Sequence, residues 1–337
     1  MTPAIFGLAG TALTRDETAF FSQSEPAGYI LFGRNIETPA QVRALTDELR
    51  ALHGRDDLAI LIDQEGGRVA RLNSPTWPEF PTGEMFDRLY ERAPATAIEA
   101  ARLNALALAN VLHALGITVD CLPLLDVRQP GADDIIGDRA LGSEPMRVAA
   151  LGRAILDGLR AGGVVGVVKH IPGHGRALCD SHKDLPRVTA GEAELASDLA
   201  PFTALNEAPM AMTAHIIYEA WDADHPATQS ETVIRDIIRN RIGFDGLLMT
   251  DDLDMEALSG SVPERARLAI AAGCDVALNC WAKMDDMVGI AEALPTMTHD
   301  ARARLAGAMG RVSGPRDPRP YAELAAQRDA LIAAVAG

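Results

Sequence analysis

Eight short apolar runs, separated by longer amphipathic stretches, constrain this chain more than any other feature. The runs fall at 4–8, 28–32, 58–63, 118–125, 164–170, 210–216, 246–250 and 275–279. Most are almost uninterruptedly apolar, as expected of parallel strands covered on both faces. Between them the spacing turns helical. The clearest helix starts at Thr38, with Pro39 at its first position and Gln41 completing a capping box. Val42, Leu45, Leu49 and Leu52 share one face, and Gly54 marks the stop. A second starts at Ser230 and turns Val233, Ile234, Ile237 and Ile238 inward. Further helices are expected at 96–115, 146–161, 190–206, 262–272 and 282–293. More follow Pro295, interrupted by a Gly- and Pro-rich turn at 313–320.

Eight strands with intervening helices in 337 residues predict an α/β protein, a single (β/α)8 TIM-type barrel with additional C-terminal helices. Residues 1–337 are expected to form one domain, since no long linker or low-complexity segment divides them. A doubly wound open sheet is the main rival. Its usual signals are missing: no GxGxxG follows the first strand, and there is no P-loop.

Composition narrows the partners. The formal net charge of −16 argues against a nucleic acid or an anionic membrane as the main partner. The N-terminus has no basic leader before its apolar run and reads as a first strand, so a cytoplasmic location is expected. Residues 103–119 carry no formal charge, but Asn104, Asn110, His113 and Gly116 make them too polar for a membrane span. The four cysteines lie far apart without CxxC spacing, which predicts reduced thiols and no disulfide framework or zinc site. Aromatics are only 4% of residues, so no stacking platform for a long polysaccharide is evident.

Polar residues gather where strands end, the edge that holds the active site in a barrel. The third strand runs out through Asp63 and Glu65 into Gly66-Gly67, with Arg68 and Arg71 behind. A surface loop with charge pairs would look the same. After the fourth strand, Arg139 sits among acids, either as an ion-pair partner or as a fork for a carboxylate or sugar hydroxyls. The fifth strand ends in Lys169 and His170, where a buried cation needs a reason. A Pro-Gly-His-Gly turn follows, then Asp180 and His182 in a polar loop. A carboxylate can hold an imidazole in one tautomer and support its protonated form, making an acid/base pair. His215 on the sixth strand reads equally well as a core or rim histidine. Asp251, the first residue past the seventh apolar run, is followed by Asp252 and Asp254. Some of these acids cap the next helix; one at the strand tip can serve as a nucleophile. Together they fit glycoside hydrolysis by a retaining route, with a histidine in place of the usual acid/base carboxylate.

GYILFGRNI, DQEGGRVARL, IIGDRALG, KHIPGHG with its following DSH, MTAHI and TDDLDM occur in this order along nearly the whole chain. In these motifs the sequence resembles the bacterial glycoside hydrolase family 3 β-N-acetylglucosaminidases that recycle cell-wall fragments. The resemblance implies a barrel acting in the cytoplasm, with neither metal nor organic cofactor. It makes Asp251 the nucleophile, His182 the acid/base and Asp180 its support. It puts Asp63, Arg71, Arg139, Lys169 and His170 on the sugar. The substrate implied is N-acetylglucosamine β-1,4-linked to 1,6-anhydro-N-acetylmuramic acid, often with its peptide. The partner is thus a small soluble muropeptide or amino-sugar, and the chain a monomer that binds neither nucleic acid nor membrane. A loop-borne His182 is expected to close over substrate and to lie far from Asp251 without it. A local cationic pocket is expected to offset the overall negative charge. Ile171, Leu141 and Asp254 depart from the family pattern and leave rim packing and leaving-group preference open.

Other readings remain. His170 and His174, with His182, His215 and Asp251, would suit a metal-dependent barrel hydrolase, although Pro172 and Gly173 prevent a regular helical ligand face. Lys169 would suit Schiff-base chemistry. A sugar-binding protein with a dead site is a third, and within glycosidases a family 3 β-glucosidase or β-xylosidase is the nearest competitor.

Overall fold

The computed structural model describes residues 1–311 and 314–336. Eight parallel strands close into a barrel: β1 (Thr2–Gly7), β2 (Pro26–Leu31), β3 (Ala59–Ile62), β4 (Val119–Asp120), β5 (Val165–Ile171), β7 (Met210–Thr213), β9 (Leu247–Asp252) and β10 (Val276–Asn279). Two further short strands, β6 (Arg187–Val188) and β8 (Ile217–Tyr218), pair outside it. Around it run α1 (Arg15–Ser24), α2 (Pro39–His53), α3 (Gly83–Arg92), α4 (Pro94–Ala114), α5 (Pro145–Ala161) and α6 (Glu192–Ala204). A wide π-type helix (Val233–Ile242), α7 (Val262–Ala272) and α8 (Met284–Ala293) complete the ring, and α9 (His299–Gly310) and α10 (Tyr321–Ala336) follow.

Local chemistry explains the boundaries. Thr38 accepts from Gln41 N and Gly54 ends α2 at φ 61°, as the sequence predicts. Gln41 completes no box with Thr38, however; its Oε1 accepts from the Glu37 N–H instead. Ser230 Oγ accepts from Val233 N at the head of the π-type helix. The fourth strand is shorter than expected. Pro123 has no N–H to give the ladder, Leu122 N turns back to Asp120 O, and only a bridge from Leu124 to Lys169 resumes the pairing. The sixth run is also shorter than expected: only 210–213 stays in the barrel, and beyond its end 217–218 pairs with β6. The seventh strand continues to Asp252, so Asp251 lies within it and not past it. Helices α1 and α3 have no counterpart among the expected elements. The first residue of the expected turn at 313–320 lies outside the described residues; α9 and α10 flank the rest.

Two apolar layers result. The outer one joins strands to helices. The inner one fills the barrel with Ile5, Leu61, Val165, Val167, Met210, Met249, Val276 and Leu278. Its floor is α9, which contributes Ala301, Leu305 and Ala308. Arg304 on that helix pairs with Asp245 and Asp275, fastening the plug to the strand bases. Helix α9 therefore closes the end opposite the strand tips. Replacing the buried Leu305 with Ala should lower the unfolding free energy by about 2–5 kcal/mol in urea titrations.

Candidate active site

Side chains on a strand alternate between its faces. Val165 and Val167 point into the barrel, and Lys169 follows them at the mouth. The same rhythm carries Ala59 and Leu61 to Asp63, and Leu247 and Met249 to Asp251. Three strands thus deliver charged groups to one opening. A cavity of about 250 Å3 lies there, walled by Asp63, Arg71, Arg139, Lys169, His170, His182 and Asp251 among others. Of the expected site residues only Asp180 is not on its wall.

Lys169 is 2% exposed and sits between two carboxylates, Asp63 at 3.2 Å and Glu65 at 2.7 Å. Arg71 reaches the other Asp63 oxygen at 3.1 Å, and its guanidinium lies 5.2 Å over the Phe32 ring. Arg139 grips Glu65 with two hydrogen bonds of 2.8 and 2.7 Å. Burial pushes the Glu65 carboxyl up, but Lys169 and Arg139 outweigh it and hold it at about 2. Asp63 is lowered and Lys169 raised by the same balance. Sequence reasoning gave Glu65 no role in the site. It lies two residues past Asp63, the spacing that returns a side chain to the same face.

His170 is organised by Asp126, a residue the sequence reading passed over. The His170 Nδ1–H donates to the Asp126 carboxylate at 2.7 Å, and the same carboxylate accepts the His170 and His174 N–H groups. Burial works against ionisation of Asp126, yet His170 and these N–H groups bring it to about 2. His170 Nε2 then lies 4.0 Å from Asp251 Oδ2. The signal for Asp126 was its position as the first acid after LPLL, but Pro123 interrupts the strand that would have placed it.

Asp251 Oδ1 accepts from Asp252 N at 2.8 Å, leaving Oδ2 toward His170. Burial raises its pKa; His170, His215 and that N–H pull it down further, so the carboxyl ionises more readily than a free one. His215 is a buried positioning group. Its Nε2–H donates to Asp252 O at 3.0 Å, and its Nδ1 is hydrogen-bonded to Thr228 Oγ at 2.7 Å. Its pKa is depressed, chiefly by burial.

On the facing loop, Asp180 Oδ1 accepts from both N and Nδ1 of His182, at 2.9 and 2.8 Å. Burial of Asp180 is outweighed by these bonds and its pKa falls. The His182 ring is 58% exposed, yet it shares the cavity wall with Asp251. Ser181 and His182 of this loop are on the cavity wall in this structure. The cavity is not cationic: Arg68, Arg71, Arg139 and Lys169 face Asp63, Glu65, Asp251 and Asp252. Ile171 and Leu141 are buried in the outer core and so cannot shape the rim. Asp254 accepts from Asn279 Nδ2 and Trp281 N behind the cavity. Among the described residues no three His, Cys, Asp or Glu side chains are grouped as metal ligands.

A carboxylate held ionised at a strand tip, across one cavity from an imidazole backed by its own carboxylate, is the equipment of a glycoside hydrolase. Comparison with known proteins agrees. Residues 6–313 match the glycosyl hydrolase family 3 N-terminal domain. A protein named Beta-hexosaminidase from Alkalilimnicola ehrlichii is 40% identical over 283 residues, 82% of this chain and 80% of that one. Another with that name, from Aromatoleum aromaticum, is 36% identical over 95% of this chain and 90% of its own length. The solved structure of NagZ from Neisseria gonorrhoeae in complex with N-trifluoroacetyl-D-glucosamine superposes with a TM-score of 0.84 at 33% identity, covering 100% of this chain and 97% of that one. The chain belongs to glycosyl hydrolase family 3.

Two stability predictions follow from the charges. Lys169→Met strands two buried carboxylates and should cost about 3–5 kcal/mol at pH 7 by urea titration. Glu65 has a folded pKa below its ordinary value of 4.5, so its contribution is full above that value and disappears as pH falls toward about 2. The Lys169→Met penalty should therefore shrink in the same acid range. Asp252 behaves oppositely: burial and Asp254 raise its pKa, so it destabilises the fold as pH rises above the usual carboxylate range. Asp254→Asn should raise stability by about 1 kcal/mol at pH 8 and leave it unchanged near pH 4.

Proposed function

We propose that this family 3 enzyme is a retaining exo-β-N-acetylglucosaminidase acting on N-acetylglucosamine linked to 1,6-anhydro-N-acetylmuramic acid, with or without peptide, in cell-wall recycling. The observation that carries the reading is the shared cavity of Asp251 and the Asp180-supported His182. The name Beta-hexosaminidase on relatives matched over 80% and 90% of their length supports the sugar class.

Asp251 Oδ2, the oxygen not engaged by the backbone, attacks the anomeric carbon. The bond from that carbon to the leaving oxygen breaks as protonated His182 gives that oxygen its proton. A glycosyl ester on Asp251 results. Neutral His182 then takes a proton from water, whose oxygen attacks the anomeric carbon and releases Asp251 with net retention. An imidazole nitrogen can give up a proton and take one back, so one side chain serves both steps. Asp63 accepts hydrogen bonds from sugar hydroxyls, while Lys169, Arg71, Arg139 and His170 donate or hold the acceptors in place. The basic groups are already paired, so a neutral sugar suits this balanced network better than an isolated anion would.

The reading extends to a cytoplasmic monomer that needs no metal or organic cofactor, takes a small soluble fragment, and binds neither nucleic acid nor membrane. Among the described residues no helix is long and apolar enough to cross a membrane. Brief reaction with a 2-acetamido-5-fluoroglycosyl trapping reagent should add one glycosyl group, mapped to Asp251 by peptide mass spectrometry. Asp251→Asn should abolish the adduct and lower kcat by at least about 1,000-fold. An adduct elsewhere would refute the assignment of the nucleophile.

A further inference from the structure

The segment between β5 and β6 has two unlike halves. Its root is clamped. Asp126 accepts from the His174 N–H at 2.6 Å, and the Tyr218 hydroxyl donates to Gly173 O at 2.7 Å. Gly175 is packed so tightly that a Cβ there would lie 1.9 Å from Val127 O. The tip, with Asp180 and His182, is held by much less. Among the described residues, one hydrogen bond and no ion pair joins residues 178–183 to the body of the protein: that of Ser181 Oγ with His174 Nε2, at 3.1 Å. The bonds of Asp180 to His182 and Lys183 stay inside the tip. They fix the imidazole relative to Asp180 and not relative to Asp251.

Both partners of the crossing bond are buried, His174 at 3% and Ser181 at 2% exposure, although the next residue stands open. Burial, with the neighbouring His170, holds the His174 imidazole down to about 4, so the ring is neutral in ordinary buffers. Its Nδ1 has no protein partner. The Ser181 hydroxyl can donate to Nε2 or accept from it, so the bond spans tip and root in either tautomer of the neutral ring. Asp126 in turn fixes the backbone of His174, so the bond connects the tip to the carboxylate that orients His170.

We propose that the His174–Ser181 hydrogen bond is the latch that sets the Asp180–His182 pair at the cavity wall, making His174 and Ser181 positioning residues for proton transfer. The proposal rests on the reading of His182 as the acid/base group. Its signature is a dependence on how much the leaving group needs a proton. A 2,4-dinitrophenolate departs unaided, whereas phenol does not.

The test is kcat/KM on aryl N-acetyl-β-glucosaminides graded from 2,4-dinitrophenyl to phenyl. Ser181→Ala should lose about 10- to 100-fold on the phenyl substrate and far less on the dinitrophenyl one. Ser181→Thr, which keeps the hydroxyl, should regain most of the loss. Ser181→Cys, of similar size but a weak hydrogen-bonding group, should fall between, and supplies a second reading if the alanine variant folds poorly. Equal loss on every substrate, or none, overturns the latch. His182→Ala is the control. Should it steepen the dependence while Ser181→Ala does not, the latch alone fails. A flat response in His182→Ala removes His182 as the proton donor, and the latch falls with it.

Discussion

The mouth of this barrel depends on one buried ammonium. Lys169 leaves the inner face of β5 with almost no access to water, where an unpaired charge is prohibitively unfavourable. It is tolerated because the chain after β3 supplies Asp63 and Glu65 on either side. Those carboxylates in turn recruit Arg71 and Arg139. A single cation thereby ties together strand β5, the turn after β3 and the segment after β4. The hydrogen-bonding groups on the cavity wall are thus fixed relative to one another by their own ion pairs.

The two ends of the barrel divide the labour. At the base, α9 plugs the interior with apolar side chains, and Arg304 secures it to Asp245 and Asp275. At the mouth, polar groups replace apolar ones in the same alternating rhythm, and each is held by a second residue. Asp126 orients His170, His215 fixes the backbone at Asp252, and Asp180 holds His182. Rigidity is not evenly spread among them. Asp251 and His170 stand on or beside strands, whereas His182 stands on a loop tip with one hydrogen bond to the body of the protein. That difference matches their proposed tasks: a nucleophile needs a fixed approach, and a proton donor must let substrate in and out.

Much of this was legible in the residues. Continuous apolar runs announced parallel strands, and the polar residues at their ends marked the mouth where the cavity lies. The helix from Pro39 to His53 was readable from its cap, apolar face and terminal glycine. The misses have physical causes. Helix α1 buries little beyond Phe21 and Glu17, so its apolar stripe is too thin to stand out, whereas α3 carries a full stripe of Met85, Phe86, Leu89 and Tyr90 in only ten residues. The run after Thr118 looked like one long strand because Pro123 is silent in a hydropathy pattern, although it breaks the ladder. Asp126 was lost with it. The expected cationic pocket is absent because Arg71, Arg139 and Lys169 each meet a carboxylate across the mouth, a pairing between segments remote in sequence.

The sequence by itself determined the layered α/β barrel, the strand ends as the edge where polar groups gather and the identity of the charged residues there, because strand alternation and burial are properties of a local stretch of chain. Only the tertiary structure decided which charges meet. Lys169 lies 106 residues from Asp63, and His170 lies 44 from Asp126. Barrel closure brings those pairs within hydrogen-bonding distance. No local pattern could have distinguished the carboxylate that pairs with a cation from the one held ionised beside the cavity, since that distinction is made by neighbours remote in sequence and by exclusion of water.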